Sequence, residues 1–152
     1  MKKIIYFTCF MLLLSGCTKK QKEEVDENNT DWLIGEWLYP EVKGSYQFEN
    51  DGSYNFYGDD NHSDNYCNGT YQISYGALKH NASEEYYQYK EDGYSLYTLL
   101  TYPTRCILDG NEAIYQDTEG ASAFVLFLSQ ENANEMRMYN LSTYGTFDVY
   151  KQ

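Results

Sequence analysis

Apolar and polar residues alternate with a period of two along much of the chain. Tyr46 and Phe48 alternate with polar neighbours, and Tyr54 and Phe56 repeat the pattern a few residues later. Because successive side chains of a strand point to opposite faces, this period predicts strands with one face turned inward. We predict strands over 36–40, 44–49, 53–58, 69–75, 84–90, 94–101, 111–116, 122–128, 134–140 and 145–151.

The run from Ala123 to Leu128 breaks the alternation, because it contains no polar residue. Such a run is typical of a strand that is buried on both faces, or of a short helix. Phe124, Val125 and Phe127 favour the strand, since aromatic and β-branched residues are enriched in strands. We find no long amphipathic helical pattern elsewhere in the sequence.

Short turn motifs separate the predicted strands at regular spacing. Asp-Gly and Asn-Gly pairs favour tight hairpins, because these residues accept positive φ angles. Many short antiparallel strands with hairpin connections predict an all-β domain. The architecture is then an up-and-down barrel of about 8–10 strands or, as the alternative, a β-sandwich. The motifs are Asn50-Asp51-Gly52, Asn68-Gly69, Glu91-Asp92-Gly93, Asp109-Gly110-Asn111 and Thr143-Tyr144-Gly145.

The first 16 residues have the organisation of a secretory signal peptide. Lys2 and Lys3 precede an uncharged segment over 4–14, which is shorter than the roughly 20 residues that a membrane-spanning helix needs. The following Leu-Ser-Gly-Cys, which ends at Cys17, resembles the lipobox of bacterial lipoproteins. The resemblance implies that Cys17 becomes the first mature residue and carries several acyl chains, which together anchor a protein stably. An ordinary cleaved signal with an incidental cysteine is the alternative.

Residues 17–30 form a charged segment that we predict to be a flexible tether. Val25 is its only aliphatic residue, so the segment cannot bury enough apolar surface to offset its ordering entropy. Thr18 differs from the aspartate of the common inner-membrane retention signal. The stretch 21–24 resembles the acidic surface-export signal of Bacteroidota lipoproteins, although a merely solvated linker also fits. The resemblance implies an outer-membrane lipoprotein of the cell envelope, and it leaves open whether the domain faces the periplasm or the cell surface.

The chain is strongly acidic, with 23 acidic and 11 basic residues and a formal net charge of −12. Loss of Lys2 and Lys3 with the signal peptide would leave 9 basic residues and a net charge of −14. Such a chain is repelled by nucleic acid and by anionic membrane surfaces. We therefore expect no nucleic-acid partner, and membrane contact only through the N-terminal lipid anchor. Residues 31–152 are long enough to form one domain around one core.

The start of this domain carries three motifs in order, within residues 32–37, 48–54 and 68–73. They resemble the lipocalin-like families of small bacterial lipoproteins, in which Gly-x-Trp opens the first strand and an Asp-Gly hairpin and a Gly-Thr-Tyr strand follow. The resemblance implies a barrel with Gly35 and Trp37 on the first strand and Trp37 closing one end. In the wider lipocalin family an arginine near the last strand packs on this tryptophan. Arg137 is the candidate here, although it lies one strand early.

The sequence contains no catalytic motif that we can identify. The chain has two histidines and lacks His-Glu-x-x-His, Gly-x-Ser-x-Gly and a glycine-rich phosphate loop. The adjacent acids Glu84 and Glu85 would point to opposite faces of a strand, so they could not serve one glycoside. We therefore expect no enzymatic activity and no cofactor.

One polar loop has part of the spacing of a calcium site. Asp59, Asn61 and Ser63 stand at the first three ligand positions, but Asp64 and Thr70 stand where a glycine and a bidentate acid are needed. We therefore interpret the loop as solvated and expect no metal.

Four cysteines are present, of which Cys9 leaves with the signal peptide and Cys17 takes the lipid. Cys67 and Cys106 are then an even pair in an oxidising compartment. A disulfide between them and two free buried thiols are both compatible with the sequence.

Two classes of function stay open. The first is a binding module whose barrel mouth or cavity takes a small amphipathic molecule or a sugar, since tyrosine offers apolar ring faces and orienting hydroxyls. The chain has 18 tyrosines, although strand propensity explains most of them. The second is a structural or accessory subunit that docks on an outer-membrane protein through an aromatic patch. An internal void above roughly 300 Å³ would favour the first, and a filled barrel with a flat aromatic face outside would favour the second.

Overall fold

The computed structural model describes residues 29–59, 65–76 and 93–152. The predicted strand over 84–90, Cys17 and nearly all of the predicted tether lie outside these ranges. A short 3-10 turn, Asp31–Leu33, precedes nine strands. They are β1 (Gly35–Tyr39), β2 (Gly44–Phe48), β3 (Ser53–Tyr57), β4 (Tyr66–Tyr75), β5 (Tyr94–Leu108), β6 (Asn111–Ile114), β7 (Ser122–Ser129), β8 (Glu135–Asn140) and β9 (Thr146–Lys151).

Eight of the strands close into an antiparallel barrel. The order around the ring is β4-β3-β2-β1-β9-β8-β7-β5, and pairing of β4 with β5 completes the closure. The first half of β5 pairs with β7, while its last residues pair with β6 as a hairpin. The predicted antiparallel up-and-down barrel is thus confirmed, and the alternative of a sandwich is wrong because the sheet closes on itself.

The strands β4 and β5 are longer than the sequence predicted. Pro103 lies within β5, although proline usually interrupts a ladder because it lacks an N–H donor. The register with β4 shifts at this point: Gly69 faces Pro103 and Asn68 faces Arg105, so Thr104 forms a bulge. A Cβ atom on Gly69 would lie 2.0 Å from the carbonyl oxygen of Tyr102. Only glycine therefore allows the two backbones to approach so closely.

Large apolar side chains line the barrel interior. They come from the 3-10 turn and from seven strands of the ring, and they form one continuous cluster in the core. The eighth strand, β4, adds only the partly buried Tyr71 and Ile73, which pack against this cluster. The cluster contains Leu33, Trp37, Tyr46, Phe48, Tyr54, Tyr97, Leu99, Phe124, Leu126, Leu128, Met136, Met138 and Val149.

Strand β7 is buried on both faces, as its unbroken apolar run predicts. Phe124, Leu126 and Leu128 join the interior cluster, while Val125 and Phe127 form a second cluster on the outer side. Side chains of the neighbouring strands, among them Leu96 on β5, pack against this outer cluster.

Candidate functional site

One end of the barrel, here called the capped end, is closed by the 3-10 turn and Trp37. The indole of Trp37 is fully buried and donates a hydrogen bond from Nε1 to the carbonyl oxygen of Leu33, at 2.8 Å. Trp32 packs edge-on against Trp37, with ring centroids 6.2 Å apart, and also lies 4.8 Å from the ring of Tyr97. Gly35 joins the turn to β1 at a φ of 117°, which L side chains rarely adopt. Gly35 and Trp37 thus lie in the first strand, at the capped end.

The cation on Trp37 is Lys151 rather than Arg137. Lys151 ends β9 directly opposite Trp37, and its Nζ lies 5.5 Å from the centre of a Trp37 ring. The same Nζ donates a hydrogen bond to the carbonyl oxygen of Trp32, and burial lowers the pKa of Lys151. Arg137 alternates with the buried Met136 and Met138 on β8, so its side chain points outward. The expectation that Arg137 packs on Trp37 is therefore wrong.

The opposite end, here called the mouth, carries a cluster of aromatic rings. Tyr39 ends β1 and stacks on Phe147 of β9, with ring centroids 4.5 Å apart and an interplanar angle of 23°. Phe147 in turn lies 6.3 Å from Tyr46 and 6.3 Å from Phe124. Tyr39 and Phe147 are only partly buried, whereas Tyr46 and Phe124 are buried beneath them. The mouth thus presents a stacked aromatic pair on an apolar floor.

Two tyrosine hydroxyls lie within this apolar floor. Burial raises the pKa of Tyr54 to about 12, against the opposing effect of a hydrogen bond with the Thr101 side chain. Burial also raises the pKa of Tyr46 far above its usual value. Both hydroxyls therefore stay protonated at neutral pH and offer polar atoms inside an apolar site.

These shifted pKa values predict a loss of stability at alkaline pH. An unfolded tyrosine ionises near pH 10, so above that pH the unfolded chain releases protons that the folded chain still holds. Stability is therefore complete below about pH 10 and falls as the pH rises toward 12. Tyr46→Phe should flatten this fall, measured as urea midpoints between pH 8 and 12. Tyr150→Phe, at an exposed position, is the control; an equal effect of both changes would contradict the prediction.

The β8–β9 loop at the mouth presents Tyr144 in an unusual conformation. Tyr144 has a φ of 57° and is 72% exposed. The side-chain oxygen of Asn140 accepts hydrogen bonds from the backbone N–H groups of Ser142 and Thr143, which fixes the loop. A bulky residue with positive φ is uncommon, and such strain is often found at functional sites.

Cys67 and Cys106 form a disulfide between β4 and β5, near the mouth. Cys67 on β4 lies directly opposite Cys106 on β5. On its other side, Cys67 lies opposite Phe56 on β3. The bridge therefore ties the strands on the side of the mouth away from Phe147.

The described residues contain no group of three or more His, Cys, Asp or Glu side chains that could hold a metal ion. Within the same ranges, no helix has the length and apolar character needed to cross a membrane. Outside these ranges lie residues 61–64 of the polar loop, the two histidines of the chain, His62 and His80, and the adjacent acids Glu84 and Glu85.

Gly35 and Trp37 at the capped end were singled out in the sequence, whereas Tyr39 and Phe147 at the mouth were not. No local sequence pattern shows that β9 returns beside β1 and brings these two rings together. No protein-family model, no curated protein and no solved structure matches the chain, so the barrel and its mouth are interpreted from its own residues.

Proposed function

We propose that this protein is a lipid-anchored, non-catalytic binding module of the bacterial cell envelope, which holds a small amphipathic molecule or a sugar at the mouth. The observation that carries the proposal is the partly exposed Tyr39–Phe147 stack above the buried floor. Stacked rings offer an apolar surface to a ligand, and Tyr39 adds a hydroxyl for orientation. The ligand lies at the mouth, where these two rings are partly exposed above the large apolar side chains of the interior.

The proposed anchor joins the barrel at the capped end, opposite the mouth. The described chain begins at Asn29 and reaches the barrel through the 3-10 turn, at the capped end. Twelve peptide links join Cys17 to Asn29, and a chain of that length spans about 40 Å at most. If Cys17 carries a lipid, the capped end stays within about 40 Å of the membrane, and the mouth at the opposite end is accessible from the aqueous side.

Octyl glucoside below its micellar concentration is a suitable probe of the mouth, because it combines a sugar with an apolar chain. Tyr39→Ala should weaken its binding about tenfold, which corresponds to about 1.4 kcal/mol, because half of the stacked pair is lost. Isothermal titration calorimetry gives the affinity. Tyr75→Ala, which removes a partly exposed tyrosine near the capped end, is the matched control and should bind like the wild type. No binding by the wild type, or equal losses in both variants, would refute the proposal.

The anchor itself predicts the result of Cys17→Ser. The variant should lose the acyl chains and move from the membrane fraction to the soluble fraction, because no lipid then holds the tether. Mass spectrometry of the mature wild-type protein should find Cys17 as the first residue, with a lipid mass. A mature chain that begins at a different residue and carries no lipid would contradict the predicted lipid anchor.

A second candidate function is a structural subunit that docks on an outer-membrane protein. The 72% exposure of Tyr144 favours it, because the strained loop holds an aromatic ring toward solvent. A photo-crosslinking amino acid at position 144 in intact cells should then give one discrete adduct. A crosslinker at the exposed Ile114 is the control, and identical adducts at both positions would indicate nonspecific contact.

A further inference from the structure

A groove of about 200 Å³ crosses the outer wall of the barrel, away from the mouth. Its polar floor comes from β8 and β9, where Arg137 pairs across the strands with Asp148 and Glu135 pairs with Tyr150. Tyr94, at the start of β5, forms the opposite side. The intervening Met136 and Val149 point inward and are buried, so the polar side chains share the outer face.

The register of the strands gives the width of the groove. Tyr94 on β5 pairs with Ser129 on β7. The next strand in the sheet is β8, whose residue Glu135 pairs with Tyr150 on β9. Three strand spacings therefore separate the two tyrosines, which is about 14 Å. Two aromatic side chains thus flank a floor that is wide enough for one six-membered ring.

The floor holds hydrogen-bond donors and acceptors side by side. Arg137 is bidentate to Asp148, with Nε–Oδ1 at 2.7 Å and Nη2–Oδ2 at 3.1 Å. Both side chains stay partly exposed, at 35% and 44%. Glu135 is exposed and makes no ion pair with any residue that the structure describes. The three charges sum to −1, with the arginine charge neutralised by its partner.

We propose that this groove is a second binding site, for one neutral sugar ring. Each sugar hydroxyl both donates and accepts, so vicinal hydroxyls match a floor that offers a guanidinium beside carboxylates. An anion would meet the negative charge of Glu135, which Arg137 does not offset because it is paired with Asp148. The tyrosine rings cover the apolar C–H face of the sugar. The volume is below the roughly 300 Å³ of typical small-molecule pockets, which limits the occupant to a single ring.

The test is a titration of the folded domain with methyl glycosides of glucose, galactose and mannose, followed by two-dimensional NMR. At least one glycoside should cause saturable shifts at Glu135, Arg137 and Tyr150. Tyr150→Ala, at a 43% exposed position, should weaken binding about tenfold, whereas Tyr39→Ala at the mouth should leave it unchanged. This second variant separates the groove from the proposed mouth site.

Two further probes decide between sugar and charged ligands. Glu135→Gln should change glycoside binding less than about threefold, because the amide still accepts a hydrogen bond. Ethylguanidinium and inorganic phosphate should not displace the glycoside. The proposal is overturned if no glycoside shifts the groove resonances at 50 mM, if the shifts depend on Tyr39, or if ethylguanidinium binds instead and loses its affinity in Glu135→Gln.

Discussion

Trp37→Ala is expected to lower the free energy of unfolding by about 3–5 kcal/mol, the usual cost of deleting a large buried aromatic side chain. Trp37 is fully buried in the core cluster, and alanine would leave a cavity between the 3-10 turn and the barrel. The carbonyl oxygen of Leu33 would also lose the indole N–H, and Lys151 would lose the ring beneath its ammonium group. Domains of this size are typically stable by only about 5–15 kcal/mol, so most of the stability would be at risk.

Trp32→Ala is the matched control, and we expect it to cost clearly less. Trp32 is partly exposed, whereas Trp37 is not. The Nε1 atom of Trp32 is buried without a hydrogen-bond partner among the described residues. Its removal therefore relieves a desolvation penalty that offsets part of the lost packing.

Urea unfolding followed by circular dichroism measures both changes, since the loss of either tryptophan alters the fluorescence signal. Acrylamide quenching of the two single-tryptophan variants tests the geometry independently, because Trp37 should be the less accessible ring. A Trp37→Ala variant as stable as Trp32→Ala would mean that the 3-10 turn, and not Trp37, closes this end.

Much of the barrel could be predicted because alternation depends only on the sheet having an inside and an outside. Tyr46 and Phe48 point inward as their spacing requires, and Asn50-Asp51-Gly52 and Asp109-Gly110-Asn111 separate strands close to the predicted positions. The turn predicted at Asn68-Gly69 is wrong, because both residues lie within β4 and pair with its neighbours. The extension of β5 to Leu108 could not be predicted in the same way. Judged from its neighbours in sequence, Pro103 indicates the end of a strand. The bulge in β5 is possible only because the backbones of β4 and β5 approach each other closely at Gly69.

The cation that packs on Trp37 was less predictable, because its position depends on the register in which β9 pairs with β1. The alternation of Met136, Arg137 and Met138 does contain the correct answer, since two buried methionines require the arginine to point outward. The position of Lys151 over Trp37 follows from the register of the closing strands, which no local pattern shows. The outer groove has the same origin, because Tyr94 and Tyr150 come from strands that closure brings onto one wall.

Loss of the Cys67–Cys106 bridge is the second change with a large expected effect. The two cysteines are 39 residues apart, and closing a loop of that length restricts the unfolded chain by at most ~4 kcal/mol. We therefore expect Cys67→Ser to lower the free energy of unfolding by about 2–4 kcal/mol under oxidising conditions. Wild type in dithiothreitol should unfold at nearly the same urea concentration, while the reductant should leave the variant unchanged.

The location of the bridge gives this prediction a second part. The disulfide lies near the mouth, on strands whose pairing extends from Tyr66 to the capped end at Tyr75. Without the bridge, the protection of backbone amides from hydrogen exchange should decrease first at residues 66–68 and 105–107. Local opening of the strands breaks the fewest contacts there. The quenching of Trp37 should stay the same, since the capped end keeps its own contacts. Equal loss of protection at both ends, or free thiols at both cysteines in the native oxidised protein, would contradict a bridge that stabilises the mouth.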